Sequence, residues 1–287
     1  MKKLILILFL CNPFALYSQP VSTGNQPLVL TYKEIDTVKL DLLFYYPDKY
    51  LNNKEYPAIV LFFGGGWLNG NIYQFEKQAK YFASRGMVAV LAHYRIFKNH
   101  KTTPFEAVKD AKSAIRYLRS NSKQLSIDPK RIAAGGGSAG GHLAAAADLT
   151  VLDEPAEDES VSSRPNALVL FNPVFDNGPG GYGYDRIKDK YREISPLHNI
   201  RKGAAPTIVF LGTKDNLIPV KTAYAYKEKM KKVGSRCDLF IYPDQAHGFF
   251  NSKEYFYETV KQADIFLASL GYIKGKPTIT RETFDTI

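Results

Sequence analysis

Apolar residues along this chain follow two rhythms. In one they run together or alternate with polar residues over a short stretch; in the other they return every three or four positions. Residues 28–32 and 38–46 carry the first rhythm with polar residues interleaved, which predicts an early antiparallel pair of strands. Residues 58–63 form the first continuous apolar run, and residues 88–92, 132–134, 167–171, 207–211 and 239–242 continue the series. Runs without alternation suit strands covered on both faces. Between them Ala107, Val108, Ala111, Ala114, Ile115 and Leu118 fall at helical spacing, as do Phe256, Val260, Ala263, Leu267 and Leu270. Strands alternating with helices predict an α/β fold. Its form is a three-layer α/β/α sandwich around a mostly parallel central sheet, with reactive groups at the carboxyl ends of the strands.

Three stretches break the alternation. Residues 152–164 are acidic and polar and belong on the surface. Residues 173–205 form a long connection rich in Gly and Tyr, and such connections often serve as binding elements or lids. Residues 274–287 follow the last helix without a pattern that assigns them.

The amino terminus bears on where the protein works. Lys2 and Lys3 precede residues 4–10, all Leu, Ile or Phe, and Ser18 offers a small residue before Gln19. This predicts a signal peptide over residues 1–18 and a single domain over residues 19–287, secreted or periplasmic. The apolar stretch is short for a bilayer, so no stable membrane insertion is expected. Cys11 follows the bulky Phe9 and Leu10 where lipoprotein processing wants small residues. The chain carries a formal charge of +10, and loss of Lys2 and Lys3 leaves +8, without the Lys/Arg block that marks a nucleic-acid arm. Cys237 would then be the one cysteine left, too few for an internal disulfide, and is expected as a buried small hydrophobe.

Residues 135–141 read Gly-Gly-Gly-Ser-Ala-Gly-Gly, where a strand should pass into a helix. A sharp turn that lifts Ser138 clear of the sheet leaves no room for side chains two residues before and after it, and Gly136 and Gly140 stand there. The following helix aims free amides back at the serine, so the N–H of Ala139 can meet a developing oxyanion. A phosphate cradle is the other use of such glycines, but no Lys-Ser/Thr pair follows and the spacing is not Gly-x-Gly-x-x-Gly.

A serine hydroxyl needs a base, and the base needs a third group to orient it. Of the five histidines, His247 alone lies in a late loop just past a strand; His93, His100, His142 and His198 are expected to be structural. Asp215 follows the strand of residues 207–211. It is preferred to Asp176 and Asp244 because it gives the order Ser, Asp, His along the chain. Residues 62–67, Phe-Phe-Gly-Gly-Gly-Trp, end an earlier strand, where the amides of Gly64 and Gly65 can approach a carbonyl oxygen unobstructed.

Together these parts resemble the α/β-hydrolase superfamily, in the esterase/lipase branch related to hormone-sensitive lipase and to secreted acetyl-xylan and feruloyl esterases. The resemblance runs over residues 30–270. It is firmest at residues 127–132 leading into 136–143, at Tyr94-Arg95, at Asp110-Ala111-Lys112 and at Gly212-Thr213-Lys214-Asp215. It implies the α/β-hydrolase fold with no large cap domain. It further implies Ser138 as nucleophile, Asp215 as acid, His247 as base, oxyanion donors at Gly64, Gly65 and Ala139, and no metal or cofactor. One departure is plain: Phe63 stands where the family carries the histidine of His-Gly-Gly-Gly, a residue that braces the loop.

The implied activity is hydrolysis of a small-molecule or polysaccharide ester through an acyl-serine, with a short acetyl ester of a polysaccharide such as xylan as first choice. A feruloyl ester or a lipid ester is the alternative, and a non-catalytic binding protein on the same fold is a reading of another class. Trp67, Tyr182 and Tyr184 are expected near the mouth, where aromatic faces would pack on sugar rings.

Overall fold

The strand-forming runs all pair into one sheet. In the computed structural model, which describes residues 26–51 and 53–287, they are β1 (Leu28–Ile35), β2 (Val38–Tyr45), β3 (Tyr56–Phe62), β4 (Val88–Ala92), β5 (Ile127–Gly137), β6 (Ala167–Phe171), β7 (Thr207–Gly212) and β8 (Cys237–Tyr242). Their order across the sheet is β1-β2-β4-β3-β5-β6-β7-β8. β2 runs antiparallel to β1 and β4, and every other pairing is parallel. The signal peptide expected over residues 1–18, with Cys11, lies outside the described residues.

Five longer helices cover the sheet: α1 (Glu76–Ser84), α2 (Pro104–Ser120), α3 (Ala139–Leu149), α4 (Val220–Lys232) and α5 (Lys253–Ser269). α1 and α5 share one face, tied by Asp264, which accepts from Tyr81 Oη and Arg85 Nε, each at 2.6 Å. α2, α3 and α4 lie on the other face. Their local causes are visible. α2, for example, begins at a capping box in which Thr103 and Glu106 satisfy each other's free donors, with Pro104 at its first position. With both faces covered, β3, β4, β6 and β7 are buried at every residue, while β8, at the edge, is half-buried throughout.

Two expectations are adjusted. β5 begins at Ile127, five residues before its apolar run, because Tyr56 of β3 pairs with Ile127 ahead of an irregularity. Residues 152–164 do run over the surface, but their acids turn inward onto buried cations. Asp153 pairs with Lys112 at 2.6 Å and with Arg116, and Glu154 pairs with Lys33 at 2.8 Å. Residues 274–287 fold back on α1 and α5, where Phe284 meets Phe256 edge-on and Lys77 donates to the carbonyl of Phe284. Cys237 is half-buried, and burial pushes its thiol up to about 12, which leaves it inert at neutral pH.

The chain leaves β3 outward through α1 to β4, then returns past β3 to β5. The loops that follow β3 and β5 therefore part toward opposite faces and open a crevice at the carboxyl edge. The connection of residues 173–205 lies over that edge with only helical pieces of one or two turns, at Tyr184–Ile187, Lys188–Glu193 and Pro196–His198, in place of a helical cap. Arg186 within it donates to the carbonyl of Gly66.

Candidate active site

Ser138 sits between β5 and α3 at φ +53° and ψ −118°, a conformation that costs a non-glycine residue about 1–3 kcal/mol and persists only where its surroundings enforce it. The enforcement is close backbone packing. A Cβ on Gly136 would stand 2.3 Å from the Phe62 carbonyl oxygen, and one on Gly140 would stand 2.1 Å from the same atom. The end of β3 and the turn at Ser138 thus touch main chain to main chain. Ser138 N–H donates to Phe171 O at 2.9 Å, which fixes the turn to β6 as well.

Asp215 and His247 arrive from the next two strands. Asp215 Oδ1 accepts the amides of Leu217 at 2.9 Å and Ile218 at 2.8 Å, and its Oδ2 lies 2.7 Å from His247 Nδ1. His247 Nε2 lies 2.9 Å from Ser138 Oγ. The two loops are laced to each other, with Lys214 N–H donating to Gln245 O at 2.9 Å and Asp244 N–H to Thr213 Oγ1 at 2.8 Å. Asn172, which closes β6, steadies the far side: its Oδ1 accepts Gly248 N–H at 3.0 Å, and its Nδ2 is 3.5 Å from His247 Nε2.

The rival residues go elsewhere. Asp176 caps the amide of Gly178, and Asp244 pairs with Lys214 on the surface. His93 and His100 line a separate hollow behind Phe63. His142 is wholly buried, edge-on to Trp67, and neither of its ring nitrogens makes a hydrogen bond. Burial lowers its pKa to about 3, so it stays neutral.

A cavity of about 340 Å³ opens beside Ser138 and His247, walled by Gly64, Gly65, Gly66, Leu68, Asn69, Gln74, Asn172, Tyr182, Leu217, Gly248 and Phe250. Three expectations change here. The Gly64 amide is already taken by Gln74 Oε1 at 2.6 Å, which leaves Gly65 and Ala139 of the three expected donors. Trp67 is 2% exposed; with φ at +59° its ring turns inward against His142, and it does not wall the cavity. Tyr184 bonds Asp189 and meets Tyr191 edge-on, away from the opening. Tyr182 is the one of the three expected aromatics at the wall.

Among the residues not anticipated, Asn172 had a signal, a polar residue closing an apolar run before Pro173. Gln74 had none. Among the described residues no group of His, Cys, Asp and Glu is placed to hold a metal ion, and no helix is long and apolar enough to cross a membrane. A hydroxyl bonded to an imidazole that a buried carboxylate orients is the arrangement of an activated oxygen nucleophile.

Residues 41–176 match the BD-FAE family model, and residues 172–271 match that of the prolyl oligopeptidase family. A butyrate-bound esterase 2 of Thermogutta terrifontis is 41% identical and superposes with a TM-score of 0.84 over 88% of this chain and 96% of that one. Esterase LipC of Mycobacterium tuberculosis is 26% identical over 70% of this chain and 55% of its own length. An acetylxylan esterase of Xylanibacter ruminicola is 27% identical over 75% of this chain and 44% of its own. The chain thus spans about half the length of the curated relatives it matches. On fold, turn geometry and identity together, the chain belongs to the α/β-hydrolase esterase family.

Proposed function

We propose that this protein is a secreted serine carboxylesterase that removes short acyl groups, acetyl first, from a polysaccharide such as xylan. The observation that carries this reading is the bridge His247 makes between Ser138 Oγ, at 2.9 Å, and Asp215, at 2.7 Å. In this mechanism His247 takes the Ser138 proton as Oγ attacks the ester carbonyl. Asp215 holds the imidazole in the tautomer that can accept that proton, and stabilises the imidazolium. The amides of Gly65 and Ala139 receive the oxyanion. His247 then protonates the leaving alkoxide, and water cleaves the acyl-serine by the same steps in reverse.

A binding protein without catalysis gains nothing from a strained serine aligned on a buried Asp-His pair. The small acyl preference is supported by the butyrate in the Thermogutta relative and by the activity named for the Xylanibacter one. Tyr182 at the wall suits packing against a sugar ring on the alcohol side. Export is supported by Lys2, Lys3 and the apolar run of residues 4–10.

The test is hydrolysis of p-nitrophenyl acetate, butyrate and octanoate beside acetate release from acetylated xylan. Turnover should fall from acetate to octanoate, and Ser138→Ala should lower kcat on the order of 10⁶-fold. A tenth of wild-type turnover surviving in Ser138→Ala would remove the serine from this role, and preference for octanoate would replace the polysaccharide reading with a lipase.

A further inference from the structure

The peptide plane between Phe63 and Gly64 is gripped at both ends. Tyr94 Oη donates to its carbonyl oxygen at 2.8 Å, and Gln74 Oε1 accepts its N–H at 2.6 Å. Phe63 contributes only a ring, stacked on Tyr94 at 4.2 Å, so its own side chain holds no main-chain amide. A Cβ on Gly64 would stand 3.4 Å from both Gln74 Oε1 and Ser138 Cβ, so the carboxamide and the serine flank the same backbone carbon.

Gln74 is itself held firmly. It lies on the helical turn Ile72–Phe75, which Asn71 caps by accepting Tyr73 N–H at 3.0 Å. Its neighbours Ile72 and Phe75 are buried, and Phe75 stacks on Phe250 at 5.4 Å and 13°. Gly64 has no side chain of its own to restrict its two backbone rotations, and beyond it the Gly65 carbonyl accepts the amides of Leu68 and Asn69. The orientation of the next amide, Gly65 N–H, follows from those rotations and from the plane that precedes them.

We propose that Gln74 is a positioning residue for ester hydrolysis: with Tyr94 it locks the 63–64 peptide plane and so aims Gly65 N–H at the oxyanion. This rests on the esterase reading above. An amide aimed in advance stabilises the transition state without reorganising, whereas one that must rotate into place loses part of that advantage.

The experiment compares Gln74→Leu, Tyr94→Phe, the double variant and Ser138→Ala on p-nitrophenyl acetate, with paraoxon inactivation rates and melting temperatures measured in parallel. Gln74→Leu should lower kcat by about tenfold to a hundredfold, less than the 10²–10³ for losing an oxyanion donor outright. KM should stay within about twofold, because the amide acts only on the transition state. Phosphorylation by paraoxon should slow in step, since it needs the same amides. The double variant should lose less than the product of the two single effects, because both grip one plane. Gln74→Met, of similar length, replaces Gln74→Leu if the latter melts early.

Unchanged or increased kcat in folded Gln74→Leu, with Ser138→Ala inactive, would overturn the positioning role. A rise in KM at constant kcat would also overturn it, by making Gln74 a substrate contact. Activity in Ser138→Ala would instead sink the esterase reading itself.

Discussion

Replacing Asp215 by asparagine separates proton placement from packing. The aspartate now accepts three hydrogen bonds, two on Oδ1 from the amides of Leu217 and Ile218 and one on Oδ2 from His247. Asparagine has one oxygen to offer in place of two. Leaving a buried donor unpaired costs about 1–3 kcal/mol, and two amides stand against a single imidazole, so the oxygen stays on Leu217 and Ile218. The NH₂ must then face His247 Nδ1. An NH₂ only donates, so Nδ1 gives up its proton and the neutral ring carries it on Nε2, pointing at Ser138 Oγ. The ring can no longer accept the serine proton.

Turnover of p-nitrophenyl acetate should therefore fall by about 10⁴ in Asp215→Asn. That is about 5.5 kcal/mol of lost transition-state stabilisation. KM and the melting temperature should barely move. Asp215→Ala should lose comparable turnover and also destabilise the fold, because both amides then lack an acceptor. A tenth of wild-type kcat surviving in Asp215→Asn would refute the tautomer argument, and so would loss of activity that merely tracks unfolding.

Two further perturbations test packing and protonation. In Gly140→Ala the new methyl would stand 2.1 Å from Phe62 O and 2.4 Å from Phe63 O, both backbone atoms, so the turn at Ser138 must part from the end of β3. The variant should lose about 3 kcal/mol of stability or more, with most of its turnover, by denaturant titration and ester assay; wild-type values for both would contradict the close approach. His142 binds a proton near 6.5 when unfolded but only near 3 when folded, because burial disfavours the charged ring. Below 6.5 the unfolded chain thus holds more protons, and stability should fall on acidification by up to about 1.4 kcal/mol per pH unit until about pH 3. His142→Phe should show a shallower fall between pH 6 and pH 4 in urea titrations; parallel slopes would mean the ring is not neutral in the fold.

What the sequence made legible was what acts locally. The turn at Ser138 demands small residues at fixed offsets, so Gly136 and Gly140 announce it without tertiary information. Asp215 and His247 could be placed because apolar runs mark the strands whose carboxyl ends carry them, and chain order chose among the aspartates. Other features depend on how separate elements meet. Trp67 beside three glycines reads the same whether its ring faces solvent or His142, and only the backbone turn at φ +59° decides. The engagement of Gly64 by Gln74 spans ten residues and two elements, and a glutamine there looks like any polar helix residue. The early start of β5 was hidden because Asp128, Lys130 and Arg131 are charged and Pro129 lacks an amide donor, and residues 128–131 bulge unpaired with β3 between the Tyr56–Ile127 and Ala58–Ile132 pairs.

The sheet distributes the site one part per strand. The glycines of residues 64–66 follow β3, Ser138 follows β5, Asn172 closes β6, Asp215 follows β7 and His247 follows β8. These parts do not share one durability, since β8 has a neighbour on only one side and is half-buried along its whole length. Edge elements open at lower free energy than the core they lean on. On warming, His247 would leave with β8 while Ser138 remains seated in the buried centre. Ester turnover should then fade in molecules that are otherwise folded and return on cooling, which would make the edge strand rather than the core the limit on the working temperature; turnover and near-ultraviolet dichroism lost together on warming would contradict this.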